Sequence, residues 1–68
     1  MNVCVLVGQK IKELRLKAKM SQEELAHGCD LHRTYIGQIE RAEKVIGIVN
    51  LQIISKALKV NTEDLFRR

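Results

Sequence analysis

Hydrogen-bonding side chains recur on one side of a helix predicted in the middle of this 68-residue chain. Arg33, Thr34 and Gln38 follow one another at helical spacing. Ile36 and Ile39 fall on the opposite side. Arginine can donate two hydrogen bonds to guanine, and glutamine can pair with adenine in the same way. Because the major groove of DNA is wide enough to admit a helix, the pattern predicts a helix that reads base edges. An ordinary solvated helix face is the alternative.

A short helix with a strong start signal precedes this one. The Ser21 hydroxyl can cap the amide of Glu24, and the Glu24 carboxylate can reach back to the Ser21 amide. This reciprocal pattern is a capping box. The helix is predicted over residues 22–28, and it buries Leu25 and Ala26.

The turn between the two helices has Leu31 pointing inward as a plug. The following helix starts near His32 or Arg33 and runs to about Arg41. A short capped helix, a tight turn and a second helix with a base-reading face form a known DNA-binding arrangement. Residues 21–41 are predicted to form it.

The remaining helices complete an all-α domain. Apolar residues spaced by four, three and four positions predict a first helix over residues 7–19. Its inward face is Val7, Ile11, Leu14 and Ala18. After a connector, a fourth helix is predicted over residues 48–58. Its inward face is Ile48, Leu51, Ile54, Ser55 and Leu58. Asn61 is expected to cap a last short helix, TEDLF.

The N-terminal stretch MNVCVLV is open to several interpretations. It is the only part of the chain with an alternation that suits a strand. It either extends the first helix, adds to a dimer contact or is loose.

Composition limits the size and nature of the protein. Sixty-eight residues make one domain, residues 1–68, rather than two. Tyr35 and Phe66 are the only aromatic residues, so the core is expected to be aliphatic. A net charge of +4 and a pI of about 9.4 suit a polyanionic partner. A basic protein without such a partner is the alternative.

The residues that often bind metals or catalyse reactions do not form a recognisable pattern. Cys4 and Cys29 have no CxxC or histidine pair beside them, and no carboxylate or cysteine accompanies His27 and His32 at ligand spacing. We therefore expect no metal and no cofactor. No Ser-His-Asp or Cys-His arrangement is visible, and so small a bundle has little room for a pocket. Neither an enzyme nor a small-molecule substrate is expected.

No apolar run approaches the roughly 20 residues of a membrane span. Residues 1–7 lack the charged start of a secretory signal and are too short for one. We therefore expect a cytoplasmic protein with reduced thiols and no membrane partner.

With these elements in order, the chain resembles the Cro and phage-repressor type of helix-turn-helix domain. Within that type it is most similar to the controller proteins of restriction-modification systems. The resemblance is carried by VGQKIKELR, SQEELA, LHRTYIGQIER, VNLQIISKAL and DLF. These motifs span residues 7–66, and their order makes the signal specific. The resemblance implies a five-helix bundle of the lambda-repressor-like DNA-binding type.

The resemblance also implies roles for residues outside the third helix. Gln22 matches the family residue whose side chain and amide meet a phosphate at the start of helix two, a natural anion site. Arg15 and Glu40 match a pair that joins helices one and three. Two independent surface charges are the alternative for that pair.

Further DNA contacts are expected around the third helix. Arg41 and Lys44 are expected to reach backbone phosphates. His32 touches a base edge or a phosphate, or it caps the helix. Tyr35 directs its hydroxyl to a phosphate or only packs against the bundle. Gly37 costs about 1 kcal/mol relative to alanine in a helix centre. Either it lets the backbone approach DNA, or it has no role at an exposed position.

Four residues depart from the family pattern. Asp30, Ala42 and Lys59 stand where glycine is common, and Gly47 stands where a Ser or Thr cap is usual. Aspartate tolerates the left-handed backbone better than most residues. These departures are expected to lower stability rather than to change the fold.

The expected function is sequence-specific regulation of transcription by a homodimer on double-stranded DNA. Two copies related by a twofold axis would meet a pseudo-palindromic operator in major grooves about 34 Å apart. Leu65 and Phe66 are the predicted dimer residues, because apolar side chains at the end of the chain otherwise lack cover. A phage-type repressor is one alternative. An antitoxin or other protein-interaction module that binds DNA secondarily is another.

Overall fold

Helices make up most of the chain in the computed structural model, which describes residues 2–67. Met1 and Arg68, the two ends of the predicted 1–68 domain, lie outside the described residues. The elements are α1 (Val3–Lys17), α2 (Gln22–Cys29), α3 (Arg33–Glu40), α4 (Ile48–Ala57) and a final 3-10 helix (Thr62–Phe66). The predicted all-α fold is confirmed. The predicted count of five helices is slightly wrong, because the last element is a 3-10 helix and the described part contains four α-helices.

α1 begins at Val3 rather than at residue 7. The Asn2 side chain caps it by accepting a hydrogen bond from the Cys4 backbone N–H at 2.7 Å. Residues 3–7 of the N-terminal stretch therefore extend the first helix, which is one of the three interpretations left open by the sequence. At the other end the helix stops at Lys17, so Ala18 leaves the inward face and is exposed, contrary to the prediction.

The core lies where all five elements meet, and it is aliphatic as predicted. α1 packs against α3 and the final 3-10 helix, while α2 packs against α3 and α4. The buried apolar residues are Val7, Ile11, Leu25, Ala26, Cys29, Ile36, Ile39, Leu51, Ile54 and Leu65. Leu31 packs against this core as the predicted plug. Ile48 was predicted on the inward face of α4 but is 75% exposed, because it is the first residue of the helix and lies beyond the edge of the core.

The start of α2 has the predicted capping box. The Glu24 backbone N–H donates to Ser21 Oγ at 3.0 Å, and the Ser21 N–H donates to Glu24 Oε1 at 2.8 Å. Hydrogen bonding to Ser21 lowers the pKa of Glu24 below its ordinary value. The Ser21 backbone N–H has the larger effect and the Ser21 hydroxyl the smaller one. The capping box therefore defines where α2, the first helix of the α2–α3 pair, begins.

Each α-helix ends in the same kind of turn. A residue just past each helix has a positive φ: Lys19 at 60°, Asp30 at 56°, Ala42 at 59° and Lys59 at 61°. The N–H of the next residue donates back to a carbonyl of the last helical turn, at 2.8 to 3.0 Å. This is the Schellman arrangement, which usually places glycine at the left-handed position. A non-glycine residue there costs about 1–2 kcal/mol.

Replacing Ala42 with glycine is expected to raise the free energy of unfolding by about 1 kcal/mol. Relief of about 1–2 kcal/mol of left-handed strain exceeds the roughly 0.4–1 kcal/mol lost because glycine gives the unfolded chain more freedom. Urea denaturation followed by circular dichroism measures the change. Ala57→Gly, at the last residue of α4, is the control: no left-handed strain is relieved there, so this variant should destabilise, by up to about 1 kcal/mol. Equal destabilisation by both variants would contradict the strain argument.

Candidate DNA-recognition surface

The outer side of α3 carries the side chains predicted to read bases. Arg33 and Thr34 lie in its first turn and are exposed, while Gln38 is half-buried one turn later. Arg33 Nη1 lies 3.1 Å from Glu23 Oε2 of α2, and both side chains are largely exposed. An exposed ion pair of this kind contributes only about 0–1 kcal/mol. Arg33 is therefore free to exchange this carboxylate for another acceptor.

His32 is the N-cap of α3. Its Nδ1 accepts a hydrogen bond from the Thr34 backbone N–H at 3.1 Å. Of the three roles that the sequence allowed, the structure therefore shows the cap. The imidazole fixes the start of the helix that carries Arg33 and Thr34.

A buried ion pair holds the other end of α3. Arg15 Nε donates to Glu40 Oε2 at 2.7 Å, and Arg15 Nη2 donates to Glu40 Oε1 at 3.0 Å. The side chains are only 8% and 2% exposed. Arg15 Nη1 also donates to the Met20 carbonyl at 2.8 Å. The hydrogen bond to Glu40 raises the pKa of Arg15 above its ordinary value, although removal of the guanidinium from water acts in the opposite direction. This pair ties the end of α3 to α1 and to the connector before α2.

Gln22 belongs to the same network. Its Nε2 donates to Glu40 Oε1 at 3.1 Å, so one carboxylate oxygen accepts from both Arg15 and Gln22. Gln22 is the first residue of α2, where backbone N–H groups have no partner within the helix. The predicted phosphate-binding side chain of Gln22 is thus held by Glu40, the last residue of α3.

Arg41, directly after α3, pairs with Glu43. Its Nε donates to Glu43 Oε2 at 2.8 Å and its Nη2 donates to Glu43 Oε1 at 3.2 Å. The hydrogen bond between them raises the pKa of Arg41 and lowers that of Glu43. Lys44 follows and is exposed. The two predicted phosphate contacts therefore lie together in the segment that leaves α3.

Tyr35 is half-buried and packs against the core. Its hydroxyl accepts a hydrogen bond from Asn50 Nδ2 at 3.1 Å. The ring thus links α3 to the start of α4, and the hydroxyl lies at the edge of the core.

Gly37 is buried. The alternative in which it has no role at an exposed position is therefore wrong. A Cβ atom built there would lie 3.0 Å from Arg41 Nη1 and 3.4 Å from Gln22 Oε1. Atoms of two predicted phosphate-binding side chains, Arg41 and Gln22, therefore lie over this glycine.

Sequence reasoning missed Glu23, Glu43 and Asn50 as partners of predicted DNA contacts. Arg41 and Glu43 are two residues apart, a spacing that does not place side chains side by side on a helix. Glu23 and Arg33 are brought together only by the turn between α2 and α3. Neither pair has a periodic signal from which it could have been found.

Within residues 2–67, no helix combines the length and apolar character needed to cross a membrane. In the same part of the chain, no three His, Cys, Asp or Glu side chains are grouped as a metal site.

A capped short helix, a tight turn and a second helix with polar side chains outward define a helix-turn-helix protein. The helix-turn-helix family model matches residues 11–65. The chain is 52% identical to Control protein C.BamHI of Bacillus amyloliquefaciens, over 94% of this chain and 80% of that protein. It is 35% identical to Control protein C.SmaI of Serratia marcescens, over 100% of this chain and 81% of that protein.

Solved structures show the same relationship. The chain superposes with a TM-score of 0.90 on the restriction-modification controller protein C.AhdI from Aeromonas hydrophila. The two are 36% identical, and the match covers 93% of this chain and 96% of the other. The chain therefore belongs to the helix-turn-helix family and, within it, to the restriction-modification control proteins. This is a family of DNA-binding regulators and not of enzymes.

Proposed function

We propose that this chain regulates transcription by binding a pseudo-palindromic operator of double-stranded DNA as a homodimer. Arg33, Thr34 and Gln38 read base edges in the major groove. Gln22, Arg41 and Lys44 bind the phosphates on either side and set the position of α3. The regulated genes are those of a restriction-modification system, as the names of the relatives suggest.

One observation carries this proposal. The base-reading helix is fixed at both ends, by the His32 cap at its start and by the buried Arg15–Glu40 pair at its end. A rigid helix that keeps Arg33 and Thr34 exposed is suited to reading a groove, because little conformational freedom is lost on binding.

Footprinting of the DNA upstream of the chain's own gene tests the proposal directly. Two protected major grooves about one helical turn apart are expected. Absence of protection at moderate salt would count against control of the chain's own gene by this protein.

Two substitutions separate base reading from phosphate binding. Arg33→Ala should cost about 1–3 kcal/mol on the operator and relax its sequence preference. Lys44→Ala should weaken binding to all sequences alike and flatten the dependence of log K on log salt by about one unit. Fluorescence anisotropy on operator and scrambled duplexes measures both effects. If both variants bind as the unchanged chain does, the assignment of α3 to the groove is wrong.

The dimer surface that we propose lies on α4. Leu65 is 0% exposed and belongs to the protomer's own core, so it has no surface to offer a partner. Phe66 is partly exposed and remains a candidate. The start of α4 is strongly apolar and uncovered, with Ile48 75% and Val49 63% exposed, and Ile53 follows one turn later. A second copy covers these residues, because apolar patches of this kind mark interaction sites.

Val49→Asp is expected to weaken the dimer by at least about tenfold, because it places an unpaired charge in an apolar contact. Sedimentation equilibrium over a range of concentrations measures the change. Leu16→Asp on α1 is the matched control, since Leu16 is 56% exposed and lies on another element. If both variants weaken the dimer equally, or if neither weakens it, the dimer surface does not lie on α4.

A further inference from the structure

Gly37 lies in the middle of α3, and polar side chains stand over it. Arg41 Nη1 would lie 3.0 Å from a Cβ atom at this position. This separation is tighter than ordinary van der Waals contact, so a side chain here has to compete with the guanidinium for space. Glycine is also a poor helix former compared with alanine, so its presence in a helix centre calls for a local reason.

The guanidinium of Arg41 pairs with the Glu43 carboxylate on its other edge. Nε and Nη2 donate to the two carboxylate oxygens of Glu43. Nη1 lies over Gly37, where a Cβ atom would be 3.0 Å from it and 3.4 Å from Gln22 Oε1. Among residues 2–67, no hydrogen bond from Nη1 is present. Its N–H groups are thus available to an acceptor from outside, and charged oxygen acceptors such as phosphate suit an arginine best.

We propose that Gly37 is a positioning residue for DNA binding. Because it has no side chain, the Arg41 guanidinium can lie over α3 on the side of Gln22, the first residue of α2. The ligand is a backbone phosphate, and Gly37 acts on it through Arg41 without touching DNA. This inference rests on the proposed function and deepens it. It differs from a role in which the missing side chain lets DNA approach the helix backbone.

A double-mutant cycle tests the inference, because residues that act through one contact are not additive. The probe is a mixed-sequence duplex of about 30 base pairs, long enough for two grooves one turn apart. Its affinity is measured by fluorescence anisotropy at several salt concentrations. A mixed sequence is sufficient, since a phosphate contact does not depend on base identity.

Gly37→Leu fills the space that the Arg41 guanidinium occupies over Gly37. It is expected to weaken DNA binding about tenfold, as Arg41→Gln is, because each variant loses one charge-assisted hydrogen bond to a phosphate. Each should also flatten the salt dependence by about one unit. The double variant should bind no more weakly than Arg41→Gln alone. Gly37→Ala, which displaces Arg41 less, should weaken binding a few-fold and keeps the test available if the leucine variant folds poorly.

Gly28→Leu on α2 is the matched control, because nothing lies within 4 Å of a Cβ atom at that position. It should leave affinity and salt dependence unchanged. A further tenfold loss when Gly37→Leu is added to Arg41→Gln would overturn the inference, since the leucine would then obstruct DNA directly. Unchanged binding by Gly37→Leu would also overturn it.

The two proposals can fail separately. If the unchanged chain binds no duplex at all, the proposed function falls and this inference falls with it. If the unchanged chain binds DNA but the cycle is additive, only the role of Gly37 is lost.

Discussion

Glu40→Ala is expected to lower the free energy of unfolding by about 3–5 kcal/mol, because it leaves the guanidinium of Arg15 buried without a counter-charge. A domain of this length has a total stability of roughly 3–10 kcal/mol, so the variant should be close to unfolded at room temperature. Urea denaturation at a protein concentration that keeps the oligomeric state constant measures the loss.

The effect of Glu40→Ala should extend to α2. Gln22 and Arg15 both donate to the Glu40 carboxylate, so both lose their acceptor in this variant. The hydrogen bond that connects the start of α2 to the end of α3 is then absent. DNA affinity should therefore fall even under conditions in which the variant is still folded. Hydrogen exchange of the α2 amides would report the loosening separately from global unfolding.

The double variant Arg15→Met with Glu40→Leu is the control for this prediction. Apolar residues of similar size remove both charges, and such replacements of buried pairs are often neutral or stabilising. The double variant should regain most of the lost stability. It should still lack the hydrogen bond from Gln22, because leucine has no acceptor to replace the Glu40 carboxylate. A loss below about 1 kcal/mol for Glu40→Ala would instead show that the pair behaves as an exposed one.

Gly8→Ala is expected to destabilise the protein by about 3 kcal/mol, at the upper end of the range for overpacking. Gly8 is buried where α1 crosses the end of α3. A Cβ atom there would collide with the Ile39 carbonyl oxygen and would lie 2.9 Å from that of Glu40. Backbone atoms cannot swing aside as a side chain does, so the two helices would have to separate.

Thermal and urea denaturation measure the effect of Gly8→Ala, and Gly28→Ala serves as its control. Gly28 also lies in a helix, but open space surrounds it, so alanine there should stabilise by about 1 kcal/mol through helix propensity alone. Opposite signs for the same substitution would show that Gly8 is required by the close approach of two helices. A neutral or stabilising Gly8→Ala would contradict that packing.

Local signals were sufficient for much of the fold. The Ser21–Glu24 capping box involves residues three positions apart, and the start of α2 lies where this pattern indicated. The face of α3 that carries Arg33 was also visible, because helical periodicity separates inward from outward positions over a single turn. The left-handed backbone at Asp30 stands where the family that the chain resembles usually has glycine, so the resemblance pointed to it.

Other features depended on residues that are distant in the chain. The resemblance to a known family pointed to the Arg15–Glu40 pair, and spacing alone could not, since 25 positions separate the two residues. The position of Leu65 near the end of the chain predicts that it contacts a partner. In the fold, the final 3-10 helix turns back onto α1 and α4 and buries it.

The sequence by itself determined that this protein is a small all-helical domain with a capped helix, a turn and a polar-faced helix. Those features arise from interactions within three or four residues, which the order of side chains specifies directly. Only the tertiary structure decided which carboxylates meet Arg33 and Arg41, which atoms crowd the positions of Gly37 and Gly8, and which apolar residues remain uncovered on α4. These depend on how closely helices approach one another, and that distance is set by packing of the whole core rather than by any one segment.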